Sequence, residues 1–142
     1  MDLAKPILLA CKPPQAQRGR RHSFRTFACT GFPEGSGTTL DASAVGDSVT
    51  FTISVAQAGT YSVTYNTKAY KTRGANQLSI NGTNVGPVVD QYNAGQALTS
   101  FNLGTFNFAT AGNYSFKFTV IGRNAASSGY TMAFDDIILT PQ

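Results

Sequence analysis

From Asp47 onward, apolar and polar residues alternate. Val49, Phe51, Ile53 and Val55 fall on one face of an extended segment, and Ser48, Thr50, Thr52 and Ser54 on the other. Tyr61, Val63 and Tyr65 repeat the pattern, as do Tyr114, Phe116, Phe118 and Val120. Successive side chains of a strand point to opposite faces, so period two with polar partners means half-buried strands of an antiparallel sheet. The pattern predicts strands near 47–55, 60–69, 76–81, 84–90, 99–108, 113–121 and 130–140, with one or two earlier, 24–32 among them. Asn81-Gly82, set between Leu78-Ser79-Ile80 and Val85, reads as a two-residue hairpin, because both central positions tolerate positive φ. Ala58-Gly59-Thr60-Tyr61-Ser62 recurs as Ala111-Gly112-Asn113-Tyr114-Ser115. Occurring only twice, it is a recurring turn rather than a solenoid repeat. Many short strands separated by turn signals predict an all-β fold, an antiparallel β-sandwich of the jelly-roll kind.

The connections are of two kinds. Those at 56–59, 81–82 and 109–112 are short and tight. Those at 70–74, 91–96 and 122–130 are longer and carry charged, amide and aromatic side chains. Each antiparallel strand carries the chain to the opposite end of a sandwich. The two kinds alternate along the sequence, so all three long loops are expected at one end.

Composition sharpens the picture. The chain has 142 residues, 42% hydrophobic and 13% charged, with 10 Phe and 6 Tyr, which suits one domain with its own core. The formal charge of +4 is unevenly placed. Lys5, Lys12, Arg18, Arg20, Arg21 and Arg25 face only Asp2 in the first 25 residues. Beyond them Lys68, Lys71, Arg73, Lys117 and Arg123 are balanced by Glu34, Asp41, Asp47, Asp90, Asp135 and Asp136. The body is near neutral, which argues against a nucleic-acid-binding face. Pro6, Pro13, Pro14 and the arginine run give residues 1–23 neither strand nor helix period, so they read as a disordered or irregular tail or linker before a module at 24–142. Leu8-Leu9-Ala10-Cys11 also fits a lipoprotein cleavage box, the arginine-rich stretch an organellar transit peptide, and the whole segment a mis-assigned or truncated start. Cys11 and Cys29 match no metal or redox spacing. No apolar run approaches the roughly 20 residues needed to span a bilayer.

The stretch from Gly35 to Pro141 resembles galactose-binding-like jelly rolls, above all carbohydrate-binding modules of the family 6 and family 35 type. The likeness is carried by Val45-Gly46-Asp47, the two Ala-Gly-Xaa-Tyr-Ser turns, Asn81-Gly82-Thr83-Asn84-Val85-Gly86 and Gly122-Arg123-Asn124. Ser127-Ser128-Gly129-Tyr130 and Phe134-Asp135-Asp136-Ile137-Ile138-Leu139-Thr140-Pro141 complete it. The resemblance implies a secreted, non-catalytic module that binds a glycan through loops at one end of the sandwich. Such a module is appended to a glycoside hydrolase or lyase. The resemblance also implies a structural calcium ion between an N-terminal acidic segment and an aspartate of the last strand. The family's opening acidic strand is not recognisable in this sequence, and tryptophan, a common sugar platform, is absent.

A sugar presents an apolar C–H face and a rim of hydroxyls, so a site needs a flat aromatic ring and polar groups around it. Tyr70, Tyr92 and Tyr130 flank the three long loops, and Lys71, Arg73, Asn93, Arg123 and Asn124 supply donors and acceptors. Three cations at one end favour an acidic sugar, because guanidinium pairs bidentately with carboxylate. The alternative is that the tyrosines cap the core, Arg73 and Arg123 pair with Asp90, and Ser127-Ser128-Gly129 only shapes a turn. The chain would then be a spacer or docking domain of a larger secreted enzyme. Asp135 and Asp136 are adjacent, and in a regular strand they point apart, which argues against a catalytic carboxylate pair. One of them shares a face with core residues and needs hydrogen bonds or a metal; calcium at Asp135 is one solution. The lone histidine, His22, sits in the tail, and no nucleophile elbow or phosphate loop occurs, so no enzyme activity is expected.

Overall fold

The computed structural model describes residues 7–10, 24–28 and 36–142, with side chains from residue 39 onward. The described residues form strands and no helix: β1 (Ile7–Ala10), β2 (Phe24–Ala28), β3 (Ser36–Leu40), β4 (Ser48–Val55), β5 (Gly59–Ala69), β6 (Ala75–Ile80), β7 (Thr83–Asp90), β8 (Ala97–Phe108), β9 (Gly112–Gly122), β10 (Met132–Phe134) and β11 (Asp136–Pro141). One four-stranded sheet has the order β1-β11-β5-β8 and the other β4-β9-β6-β7, with a three-stranded sheet β10-β3-β2 beside them. All the strand pairs are antiparallel. The alternating faces meet in the core as expected. Ile53, Val63, Tyr65, Leu78, Ile80, Phe108, Phe116, Phe118 and Leu139 are buried, and Phe118 packs on Tyr65 and Phe134 with ring centroids 5.2 and 4.6 Å apart.

The tight turns follow from their residues. Asn81 and Gly82 adopt φ 46° and 87°, giving the two-residue hairpin between β6 and β7. Gly59 and Gly112 open β5 and β9 with nearly equal φ of 149° and 145°, a region that favours glycine. Two residues on, each turn is latched in the same way. The Tyr61 hydroxyl donates to Gln57 O at 2.8 Å and the Tyr114 hydroxyl to Thr110 O at 2.6 Å. Both rings pack edge-on against Phe108, at 5.5 and 4.6 Å.

One expectation changes. The segment 130–140 is not one strand. Met132–Phe134 pairs with β3 and Asp136–Pro141 with β5 and β1, so the chain crosses between sheets at Asp135, whose N–H donates to Asn66 O at 2.9 Å. With the strand interrupted between them, regular alternation does not fix the relative directions of Asp135 and Asp136, and both are buried. Within 1–23, Ile7–Ala10 pairs with β11; the rest of that stretch, including both targeting motifs' flanks, lies outside the described residues.

Under the long-loop end lies a buried polar cluster. The Gln91 side chain, fully buried, donates to Ala133 O and the Tyr65 hydroxyl at 3.2 Å each and accepts from Ala133 N–H at 2.9 Å. Asn76 donates to the same hydroxyl at 3.4 Å. Burial pushes the Tyr65 hydroxyl up to about 12, against the opposing pull of Gln91 and then Asn76.

Candidate functional site

The loop 70–74 is the central plank of this end, bonded to its neighbours on both sides. On one side Tyr70 N–H donates to Gln91 O (3.1 Å), Gln91 N–H to Gly74 O (3.2 Å) and Asn93 N–H to Tyr70 O (3.3 Å). On the other, Ser128 N–H donates to Lys71 O (3.0 Å), Gly74 N–H to Thr131 O (2.8 Å) and the Thr131 hydroxyl to Thr72 O (2.8 Å). Glycine makes the close approach possible: a Cβ on Gly74 would stand 2.9 Å from Tyr130 O, and one on Gly129 3.0 Å from Thr72 O. Asp90 closes the ring by accepting Tyr92 N–H (2.9 Å) and the Asn124 side-chain amide (3.0 Å). The three long loops therefore form one hydrogen-bonded rim.

Not every residue singled out from the sequence faces outward with free polar groups. Arg73 is half-buried; its Nε donates to Lys68 O and its Nη1 to the Thr131 hydroxyl, both at 3.1 Å. Burial pulls its guanidinium below the usual range, and the negative field of Asp41 opposes that. Asn124 joins Asp90 to the N–H of Ala126 (2.9 Å), so both ends of its amide are engaged in the loop. Asn93 is exposed, and its amide donates to Gly95 O at 2.9 Å. What remains at the surface is a set of rings and cations. Lys71 is exposed with its ammonium 5.5 Å from the Tyr70 ring centroid, and Arg123 is exposed with its guanidinium carbon 4.8 Å from that of Tyr130. Tyr70, Tyr92 and Tyr130 are half-buried.

Three features escaped the sequence reading. Ser127, buried, points its hydroxyl at Arg73 O (2.6 Å), Gly129 O (3.0 Å) and Lys71 O (3.2 Å), so it ties two loops rather than merely shaping a turn. Asp90 accepts from Asn124 and from backbone, where pairing with Arg73 or Arg123 had been the alternative. The connection 41–47 also reaches this end, because Gly46 N–H donates to Val120 O and Val120 N–H to Asp47 O, each at 2.8 Å, beside the last residues of β9. Asp47 caps that connection internally, accepting Ser43 and Ala44 N–H at 2.8 and 3.1 Å.

Asp136 accepts from the Asn66 side-chain Nδ2, and the Asn66 side-chain Oδ1 accepts from the Ser100 hydroxyl. Among the described residues, no group of three His, Cys, Asp or Glu side chains stands together as a metal site. Asp135 and Asp136 themselves offer carboxylate oxygens, the ligand type calcium takes, with no third acidic side chain grouped with them among the described residues.

No family model matches the chain, and no curated protein matches it in sequence. Solved structures do. A part of the xanthan lyase of Paenibacillus superposes with a TM-score of 0.81 at 31% identity over 86% of this chain. The chain spans 12% of that lyase's length. The family 35 carbohydrate-binding module of Clostridium thermocellum matches with a TM-score of 0.63 at 15% identity, over 98% of this chain and 100% of the module. The CBM36-1 domain of a multidomain xylanase from the hindgut metagenome of Trinervitermes trinervoides gives 0.62 at 17%, over 96% of this chain and 98% of the domain. The chain has the jelly-roll fold of these carbohydrate-binding modules.

Proposed function

We propose that this chain is a non-catalytic carbohydrate-binding module that takes a polysaccharide on the rim built by loops 70–74, 91–96 and 122–130. One observation carries the reading: the loops are bonded into a preformed surface that presents three tyrosines and two exposed cations. Preorganisation of this kind lowers the entropic cost of binding. The match to two modules over nearly their whole length supports a binding unit rather than a catalyst. The exposed Lys71 and Arg123 favour an acidic polysaccharide. The same reading has the module secreted beside the catalytic domain of a glycoside hydrolase or lyase. It extends to a structural calcium ion at Asp135, which would cross-link the sheet junction when bound. A melting temperature lowered by chelator and restored by calcium checks that part.

The binding test is affinity electrophoresis against acidic and neutral polysaccharides, xanthan among them, with calcium present. Retardation on at least one is expected. Tyr92→Ala is expected to weaken it by about 1–3 kcal/mol while leaving thermal stability nearly unchanged. Equal losses in both would mark Tyr92 as a packing residue. The second reading, a spacer or docking sandwich, is favoured by the cover that Lys71 and Arg123 give to Tyr70 and Tyr130. It gains if no polysaccharide retards the protein.

A further inference from the structure

Both exposed cations of the rim lie over tyrosine rings, but the two pairs are not equivalent. The Lys71 ammonium is 5.5 Å from the Tyr70 centroid, on a flexible stem. The Arg123 guanidinium is closer, at 4.8 Å, and being planar it can lie flat on the Tyr130 ring. Tyr130 is the firmer base. Its ring packs against the hydrophobic core, its carbonyl abuts Gly74, and Ser127 anchors its loop to Lys71 and Arg73. With the core behind the ring and Arg123 exposed, the guanidinium stands between Tyr130 and solvent.

A ligand approaching Tyr130 therefore meets N–H edges instead of an aromatic face. Two classes of sugar respond differently. A neutral pyranose needs the flat ring for its C–H side and must first push the guanidinium away. A carboxylate-bearing sugar accepts in-plane hydrogen bonds from the guanidinium while the stack stays intact. The nearest polar groups do not offset this selection. Asn124 is engaged with Asp90 and Ala126, and the Arg73 guanidinium is bonded to Lys68 and Thr131.

We infer that Arg123 sets the charge preference of the rim: seated on Tyr130, it admits carboxylate-bearing sugars and screens neutral ones. The inference rests on the glycan-binding reading above and assigns a specificity role to one residue within it. Calorimetric titration with oligogalacturonate and with a neutral β-galactan oligosaccharide tests it on the full chain, its Arg123→Ala variant and a Lys117→Ala control. Lys117 is exposed in the middle of β9, so that control removes the same charge away from the rim. Wild type is expected to prefer the acidic oligosaccharide. Arg123→Ala is expected to lose about tenfold or more of that affinity. It is also expected to gain about two- to fivefold for the neutral one, because the ring is uncovered. Lys117→Ala is expected to leave both affinities in place. Parallel losses on both sugars in Arg123→Ala, no change on either, or a wild-type preference for the neutral sugar overturns the inference while glycan binding stands. Wild type binding neither sugar overturns the inference, while the glycan-binding reading is decided by the electrophoresis above.

Discussion

A hydroxyl has one proton, yet Ser127 faces three carbonyl oxygens from two loops. The shortest contact, 2.6 Å to Arg73 O, is the principal bond, and the other two oxygens share what remains. Ser127→Ala leaves buried carbonyls without this donor and is expected to lower stability by about 1–3 kcal/mol in urea unfolding. Tyr65 offers a different test. Its hydroxyl is pushed from 10.0 to about 12 by burial, so the fold favours the protonated form. Below about pH 10 both folded and unfolded chains hold that proton and the stabilisation is complete. Between about 10 and about 12 the unfolded chain releases it first, and stability declines by about 3 kcal/mol in total. Tyr65→Phe is expected to be less stable at neutral pH, because Gln91 and Asn76 lose an acceptor, but to show a shallower decline in alkaline melts. Neither residue advertises its role in the sequence. Tyr65 reads as one more inward position of an alternating strand, and the partners of Ser127 lie 54 and 56 residues away.

At the scale of elements the sequence was largely legible, for a definite reason. Period two, the Asn81-Gly82 hairpin and the twin Gly-Xaa-Tyr turns are local signals, and β4 to β9 follow them closely. Partner choice is not local. Nothing within 130–140 announces that its first half joins β3 and its second half β5, so the break at Asp135 was invisible. For the same reason the connection 41–47 was not assigned to the rim: it carries no alternation, and its place depends on bonds to Val120. The convergence of the three long loops could be deduced, because counting strands requires only direction. Which of their side chains would be engaged in holding the loops together could not, since Arg73 and Asn124 are satisfied by Lys68, Thr131 and Asp90. A close approach between elements gives a further prediction. Gly86, at φ 75°, lies where a Cβ would come within 2.5 Å of Leu103 O, so the edges of the two large sheets touch there. Gly86→Ala combines backbone strain with a steric clash and is expected to cost about 2–4 kcal/mol, read as a lowered urea midpoint.

For the whole molecule, charge and fold divide the chain differently. The basic excess lies in residues 1–25, whereas β1 and β2 tie parts of that same stretch to the sandwich. Deleting residues 1–25 would remove β1 and the start of β2 along with the charge. Replacing Arg18, Arg20 and Arg21 by glutamine is the cleaner experiment. It is expected to leave glycan titrations unchanged, because the three arginines lie outside the loops 70–74, 91–96 and 122–130.

β8 is twelve residues long, and its run Ala97-Leu98-Thr99-Ser100-Phe101-Asn102-Leu103-Gly104-Thr105-Phe106-Asn107-Phe108 holds neither a charge nor a proline. Among the described strands it has one hydrogen-bonded neighbour, β5. Natural sheets usually guard such a border with lysine or proline. Here the guards are a register shift opposite Ser62–Thr64 and the meeting of Gly86 with Leu103. In crowded solution, where two molecules meet border to border, no like charges on the strand keep them apart. At high concentration, fibre growth seeded by this strand is the expected route of loss, read as thioflavin binding that rises with protein concentration.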